Sequence, residues 1–389
     1  MDKRNAFLLL FLFLFLPVLA LPRNAASQSG AQPGTEPAEV RASHLRRGIN
    51  LSTWFATAGP GGYTRQHFET AITAQDLALI HQMGFDFVRL PLDPEPMFHH
   101  NDADQISGDY LTDLDAAIKM IIGQDLSVII DVHPTDDFKL KLGSDNAFVE
   151  QFADFWRALA QHYSSLDPNR VFFEILNEPE LNDPYRWYGV QAKVADAIRE
   201  GAPQHTIIAT GAHWSDDDDL VFLEPLRDPN VIYNFHYYEP HLFTHQGATW
   251  AVNYWHFLSG LAYPSNPENA AKVAEEVPDA VNRLAIIRYG EDHWDAERVD
   301  ADFGQVSDWA HRWNVPVICD EFGAYRKNSN PSDRAKWLSD VRTGLEKYGI
   351  GWAMWDYNGG FSIVNKQNGQ TTPDAATVEA LGLEPGKRD

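Results

Sequence analysis

The chain has 389 residues, 44% of them hydrophobic, and a formal net charge of -24. That length and apolar share support a sizeable core, in one large domain or two smaller ones, and exclude a disordered or fibrous chain. The negative charge disfavours nucleic acid, whose phosphates it repels, as well as anionic membranes and polyanionic substrates, so a neutral partner fits better.

The chain opens with Met1-Asp-Lys-Arg and then runs from Ala6 to Ala20 almost wholly in Leu and Phe, followed by small and polar residues. This is the pattern of a secretory signal peptide, and the run is shorter than the ~20 residues needed to span a bilayer. Residues 1–26 are therefore expected to be removed on export, with the cut between Ala20 and Ser27. The mature protein is expected to be secreted, extracellular or periplasmic, and free of the membrane. Residues 27–42, SQSGAQPGTEPAEVRA, are rich in Ser, Gly, Pro and Gln and predict a flexible leader, with the folded part starting near Ser43.

Eight short β-like runs follow in chain order: GINLS (48–52), FDFVRL (85–90), LSVIID (126–131), RVFFEIL (170–176), HTIIAT (205–210), NVIYNF (230–235), VPVIC (315–319) and IGWAMW (350–355). Amphipathic segments lie between them, with helix starts at Thr73 (Asp76 three on), Thr112 (Asp115 three on), Asp183-Pro184 and Asn330-Pro331. Eight strands in one repeated order predict a single-domain α/β fold over residues 43–389, a (β/α)8 TIM barrel. The only cysteine, Cys319, sits in the apolar run VPVIC and reads as a buried inert thiol. The segments after runs one, two and six (53–69, 91–110 and about 240–298) are long top-face loops, on the face where barrel active sites are built.

The residues at the run ends are Asn50, Arg89, His133, Asn177 with Glu178, His213 with Trp214, His236 with Tyr238, Glu321, and Trp355. Any one of these could be a capping or rim side chain; the whole set is much harder to read that way. The stretches RRGIN, FVRLP, IIDVH, FFEILNEP, NFHYYEP, VICDEFG and GWAMWDYNGG, in this order, closely resemble glycoside hydrolase family 5, the retaining β-glycanases with acid/base on strand 4 and nucleophile on strand 7. The resemblance spans residues 44–365. It implies endo-acting hydrolysis of a neutral β-1,4-linked polysaccharide or oligosaccharide with retained configuration, and neither a metal nor an organic cofactor.

Retention requires two carboxyl groups about 5 Å apart, one attacking the anomeric carbon and one protonating the leaving oxygen before it activates water. Glu178 and Glu321 are distant in sequence, but strands 4 and 7 lie across the mouth of a closed barrel, so the two can converge. The resemblance makes Glu178 the acid/base and Glu321 the nucleophile. Arg89 resembles the arginine beside the nucleophile, where it would lower the carboxyl pKa; a structural salt bridge with Glu174 is an equal alternative. Tyr238 matches the tyrosine that hydrogen-bonds the nucleophile. Asn177 and His133 match sugar-binding residues, Asn177 being placed for the 2-hydroxyl. His236 matches the histidine near the acid/base, although a structural hydrogen bond suits a lone His at least as well. Trp355 matches the platform under the sugar at the cleavage point. Of the 12 Trp, Trp54, Trp214, Trp250, Trp255 and Trp294 fall in top-face segments, and Trp214 and Trp250 are the first candidates for stacking on further sugars.

One departure is visible. The family usually has Gly before the nucleophile, where this chain has Asp320. Strand alternation would turn only one of Asp320 and Glu321 to the cleft, leaving Asp320 as a structural or supporting partner. The same alternation separates Asn177 from Glu178, so a local distortion is expected if both act. The acidic run Asp216–Asp219 reads as a solvated helix start rather than a calcium site, and His99-His100 lacks the spacing of a zinc site. EPHLFTHQGATW (239–250) resembles the endoglucanase (cellulase) branch. A β-1,4-mannanase and an inactive carbohydrate-binding barrel remain the alternatives. A monomer is expected.

Overall fold

A computed structural model describes residues 38–385 except 60, 100, 101 and 368. The expected signal peptide and most of the leader lie outside the described residues. Eight parallel strands close into a barrel: β1 (Arg47–Asn50), β2 (Phe87–Leu92), β3 (Ser127–Val132), β4 (Val171–Glu174), β5 (Thr206–Thr210), β6 (Val231–Tyr237), β7 (Val317–Phe322) and β8 (Gly351–Met354). β8 pairs with β1 through Arg47–Trp352 and Ile49–Met354, which leaves no sheet edge in the barrel. No helix among the described residues is long and apolar enough to cross a membrane.

The barrel interior is layered by the two-residue period of its strands. At the bottom, Phe87, Ile129, Phe172, Ile208, Ile232, Ile318 and Ala353 form an apolar plug, one from each of β2 to β8. β1 contributes Gly48, where a Cβ would fall 2.3 Å from the Phe87 ring, so only glycine fits. Two residues further up, the same face carries Asn50, Arg89, Asp131, Glu174, Thr210, Asn234 and Asp320, all buried. The outer faces of the strands pack a larger apolar core against the helices.

Several sequence expectations change. Helix Ala38–Ala42 lies within the expected leader, with Ala38 and Arg41 buried. Ala38 joins the plug, and Arg41 donates to Asn169 Oδ1 and Thr206 Oγ1, so the folded part begins at least five residues before Ser43. Thr73 and Asp76 form the expected capping box, and Asp183 and Asn330 cap their helices. Thr112 does not start its helix. Helix Asp109–Gly123 begins earlier, because Gly108 (φ 108°) turns the chain and Tyr110 and Leu111 are buried. The long segment after β6 is largely built: it holds helices His241–Thr244, Pro267–Glu275 and Ala280–Glu291 and a 3-10 turn at Asn253–Phe257.

Candidate active site

Strand β4 ends at Glu174, and the next four residues leave the regular pleat. Ile175 and Leu176 pack in the outer core, while the Ile175 and Asn177 amides still donate to Ile208 O (3.1 Å) and Val132 O (2.9 Å) on either side. Glu178 then takes φ +43°. A non-glycine residue held there costs of order 1–3 kcal/mol, and the result is the expected distortion: Asn177 and Glu178 both face inward.

β7 is irregular for a different reason. Phe235 of β6 pairs with Cys319 but His236 pairs with Glu321, so Asp320 is an extra residue bulged out of the ladder. The expectation that only one of Asp320 and Glu321 faces inward is therefore corrected, since the bulge resets the alternation and both enter the barrel.

Arg89, fully buried, is the hub. It donates to Glu174 from Nε and Nη2 (both 2.7 Å), to Asn177 Oδ1 (3.0 Å), to Asn50 Oδ1 (3.1 Å) and from Nη1 to Glu321 Oε1 (2.5 Å), and lies 3.0 Å from Asp131. Arg89 thus contacts the Glu174 and Glu321 carboxylates at once. Burial works against its charge, yet Asp131, Glu174 and Glu321 keep it firmly protonated. Tyr238 donates to Glu321 Oε2 at 2.8 Å. Burial and the adjacent Glu321 raise the phenol pKa, so it stays a donor.

His236 stands between carboxylates. Its Nδ1 lies 2.9 Å from Glu178 and 3.6 Å from Glu321, and its Nε2 lies 3.4 Å from Asp320. Burial disfavours the imidazolium, but Glu321, Asp320 and Glu178 together raise its pKa well above the usual range. Burial also pushes the Glu178 carboxyl up, and the His236 bond and charge outweigh this and hold it at about 2. Oxygens of Glu178 and Glu321 come within 4.8 Å of each other. In the trios Glu174, His236, Asp320 and Glu178, His236, Glu321, one nitrogen or carboxylate oxygen from each residue lies within 4.8 Å of the others.

On the β3 side, Asp131 lies 3.0 Å from His133 Nδ1, and Asn177 Nδ2 lies 3.2 Å from Nε2. With Asn177 Oδ1 committed to Arg89, its amide is the donor towards Nε2, and Nδ1 faces Asp131. Trp355, just past β8, faces the His133 ring at 5.7 Å and 16°. Trp214 and Trp250 are 53% and 56% exposed, Trp250 standing edge-on against Tyr325 at 4.8 Å. Trp54 is different: it is buried and its Nε1 donates to Phe68 O, so its ring belongs to the core. Trp255 stacks on His241 (5.9 Å) and Trp294 carries the Arg298 guanidinium (4.8 Å), which commits both to packing. The acidic run is a helix start, Asp217–Leu220, as expected, but only Asp218 is exposed, and Asp219 accepts from the His213 amide. Burial raises Asp216 to about 7 and Asp217 to about 8. Cys319 is buried, with its thiol pushed up by burial.

Asp131 and Asn234 are site residues that the motif reading passed over, although each lies two positions before a residue it named and so shares its face. Asn234 Nδ2 lies 2.8 Å from Asp320 and 3.1 Å from Glu174, tying the two buried acids together.

The family model described as Cellulase (glycosyl hydrolase family 5) matches residues 49–360. The chain belongs to glycosyl hydrolase family 5. Among its relatives in the family, Endoglucanase C of Acetivibrio thermocellus is 27% identical over 348 residues, covering 86% of this chain and 98% of that protein. Cellodextrinase A of Ruminococcus flavefaciens is 32% identical over 321 residues, covering 80% and 85%. The crystal structure of endoglucanase Cel5A from Thermotoga maritima superposes with a TM-score of 0.72 at 26% identity, covering 89% of this chain and all of that one. That protein has been solved with cellobiose and with mannotriose. The (β/α)8 barrel expected from the sequence is the family's fold and the one observed.

Proposed function

We propose that this family 5 hydrolase is a secreted, monomeric endo-β-1,4-glucanase that cleaves cellulose-like chains with retention by double displacement. The approach of the Glu178 and Glu321 oxygens to within 4.8 Å carries this reading. Retaining enzymes set their carboxyls about 5 Å apart, whereas inverting enzymes need roughly 6.5–9.5 Å to admit water. Glu321, held by Arg89 and Tyr238, attacks the anomeric carbon. Glu178 protonates the departing oxygen and then takes a proton from the water that frees the glycosyl-enzyme. A Glu178 carboxyl held at about 2 can serve as the acid because its proton rests on His236 Nδ1, 2.9 Å away, and is shared across that bond.

Asn177 and His133 are suited to the sugar hydroxyls at the cleavage point, and Trp355 to the apolar face of its ring. Trp214 and Trp250 would carry neighbouring sugars. The negative chain and neutral substrate are compatible. Because Cel5A has been solved with mannotriose as well as cellobiose, β-mannan is the second substrate to test. The assay is release of reducing ends from carboxymethylcellulose, alongside a β-mannan panel, with wild type and Glu321→Gln. Wild type is expected to be active and the variant inert, with the β anomer appearing first by proton NMR. A wild type as inert as the variant rejects the hydrolase in favour of a binding barrel, and an α anomer appearing first rejects retention.

A further inference from the structure

Asp320 shares the inward face of β7 with Ile318, and the bulge at this point brings the Glu321 carboxylate in beside it. It is fully buried, 3.4 Å from Nε2 of His236 and 3.7 Å from Nε of Arg89, and both its oxygens lie 2.8 Å from Asn234 Nδ2. His236 is 2% exposed and reaches Glu178 through its other nitrogen. The imidazole is thus flanked by two carboxylates, Glu178 at hydrogen-bond distance from Nδ1 and Asp320 at ion-pair distance from Nε2, which makes no hydrogen bond of its own.

We propose that Asp320 is a positioning residue of this chain that fixes the state of His236, keeping hydrogen on Nε2 and so reserving Nδ1 to exchange a proton with Glu178. This rests on Glu178 being the acid/base. A carboxylate on one side of an imidazole selects the tautomer and stabilises the imidazolium. In the resting pair the mobile proton lies between Nδ1 and Glu178. When the glycosidic C–O bond breaks, the proton on Glu178 goes to the leaving oxygen, and the Nδ1 hydrogen is the one that had supplied it. His236 is left neutral with its remaining hydrogen on Nε2, facing Asp320. Glu178 then accepts a proton from the attacking water and the pair is restored, so protons balance over the two steps. Without the Asp320 carboxylate, Nε2 would have no carboxylate within ion-pair distance among the described residues.

The surrounding charges do not duplicate this role. His236 is faced by Glu178 from the end of β4, by Glu174 of β4 within 4.8 Å, by Glu321 and Asp320 from β7, and by the Asp216 segment, which bridges to it through the backbone. Asp320 is faced by Arg89 from β2, Asn234 from β6 and Glu174 from β4. Lys139 and His133 act on the Glu178 side and Asp131 on Arg89. Only Asp320 approaches Nε2 of His236 within ion-pair distance among the described residues.

The experiment is Asp320→Asn, which keeps size and loses charge, read in two ways. First, with 15N-histidine labelling, the pH at which His236 turns from imidazolium to neutral imidazole is expected to fall by about one unit or more. Second, the alkaline limb of the kcat/KM profile on a soluble glucan is expected to move down by a similar amount, with KM changed less than about threefold. A packing role moves neither. In a folded, active enzyme, either readout left unmoved overturns the proposal. If wild type hydrolyses no glucan, the functional reading fails and the NMR titration alone decides this one. Should Asp320→Asn fail to fold by circular dichroism, Asp320→Gly takes its place with the same expectations.

Discussion

Tyr238, just past β6, and Glu321, on β7, are joined by a hydrogen bond of 2.8 Å from the phenol to Oε2, while Oε1 is taken by Arg89. The carboxylate is therefore held from two sides with its orientation fixed. Tyr238→Phe removes one hold and keeps the ring. We expect kcat to fall by roughly 10–100-fold with KM little changed, since about 1.5–3 kcal/mol is typical of a hydrogen bond to a charged group. Steady-state kinetics check this, and a pure KM effect would contradict it.

Glu178→Ala removes the proposed proton donor but leaves Glu321 in place. Loss of general acid catalysis costs about 10²–10⁴-fold on glucans. An aryl glycoside with an acidic phenol needs little protonation to leave, so its glycosylation step is expected to suffer far less. Comparable losses on both substrates would assign Glu178 another role.

Arg89→Met leaves Glu174 and Asp131 as buried carboxylates without their cation. Breaking a buried pair from one side costs roughly 3–5 kcal/mol. Urea unfolding should show a loss of that size, and a stability within 1 kcal/mol of wild type, on the order of a surface change, would show that the hub is dispensable.

His205 at the foot of β5 is fully buried against Phe173 (5.0 Å), and neither ring nitrogen has a hydrogen-bond partner among the described residues. Burial, with Arg41 and Arg199 nearby, lowers its pKa from 6.5 to about 4. The unfolded chain then binds the extra proton more readily, so stability is whole above about pH 6.5 and declines as pH falls towards 4, by on the order of 3 kcal/mol. His205→Phe should flatten that part of the urea-midpoint profile. Equal slopes in wild type and variant would exclude His205 as its source.

Trp54→Ala and Trp250→Ala separate core from cleft. The first opens a buried cavity and should cost about 3–5 kcal/mol in unfolding free energy. The second removes a half-exposed ring and should leave stability within ~0.5 kcal/mol while raising KM for long glucans. The reverse pattern would invert both assignments.

The sequence was sufficient for whatever depends on local period and chain order. Eight β-like runs with helical segments between them specified the barrel, and the polar residues closing those runs named Glu178, Glu321, Arg89, Tyr238 and His236, because a strand end in this fold has one destination. The capping box at Thr73 was legible for the same local reason, whereas at Thr112 burial of Tyr110 and Leu111 overrode an equally good signal. What only the tertiary structure decided is where the period fails. The left-handed turn at Glu178 and the bulge at Asp320 are paid for by contacts with neighbouring strands, which no window of sequence contains. Those two irregularities bring Asn177, Glu178, Asp320 and Glu321 into one barrel mouth, although strict alternation would have sent half of them outward.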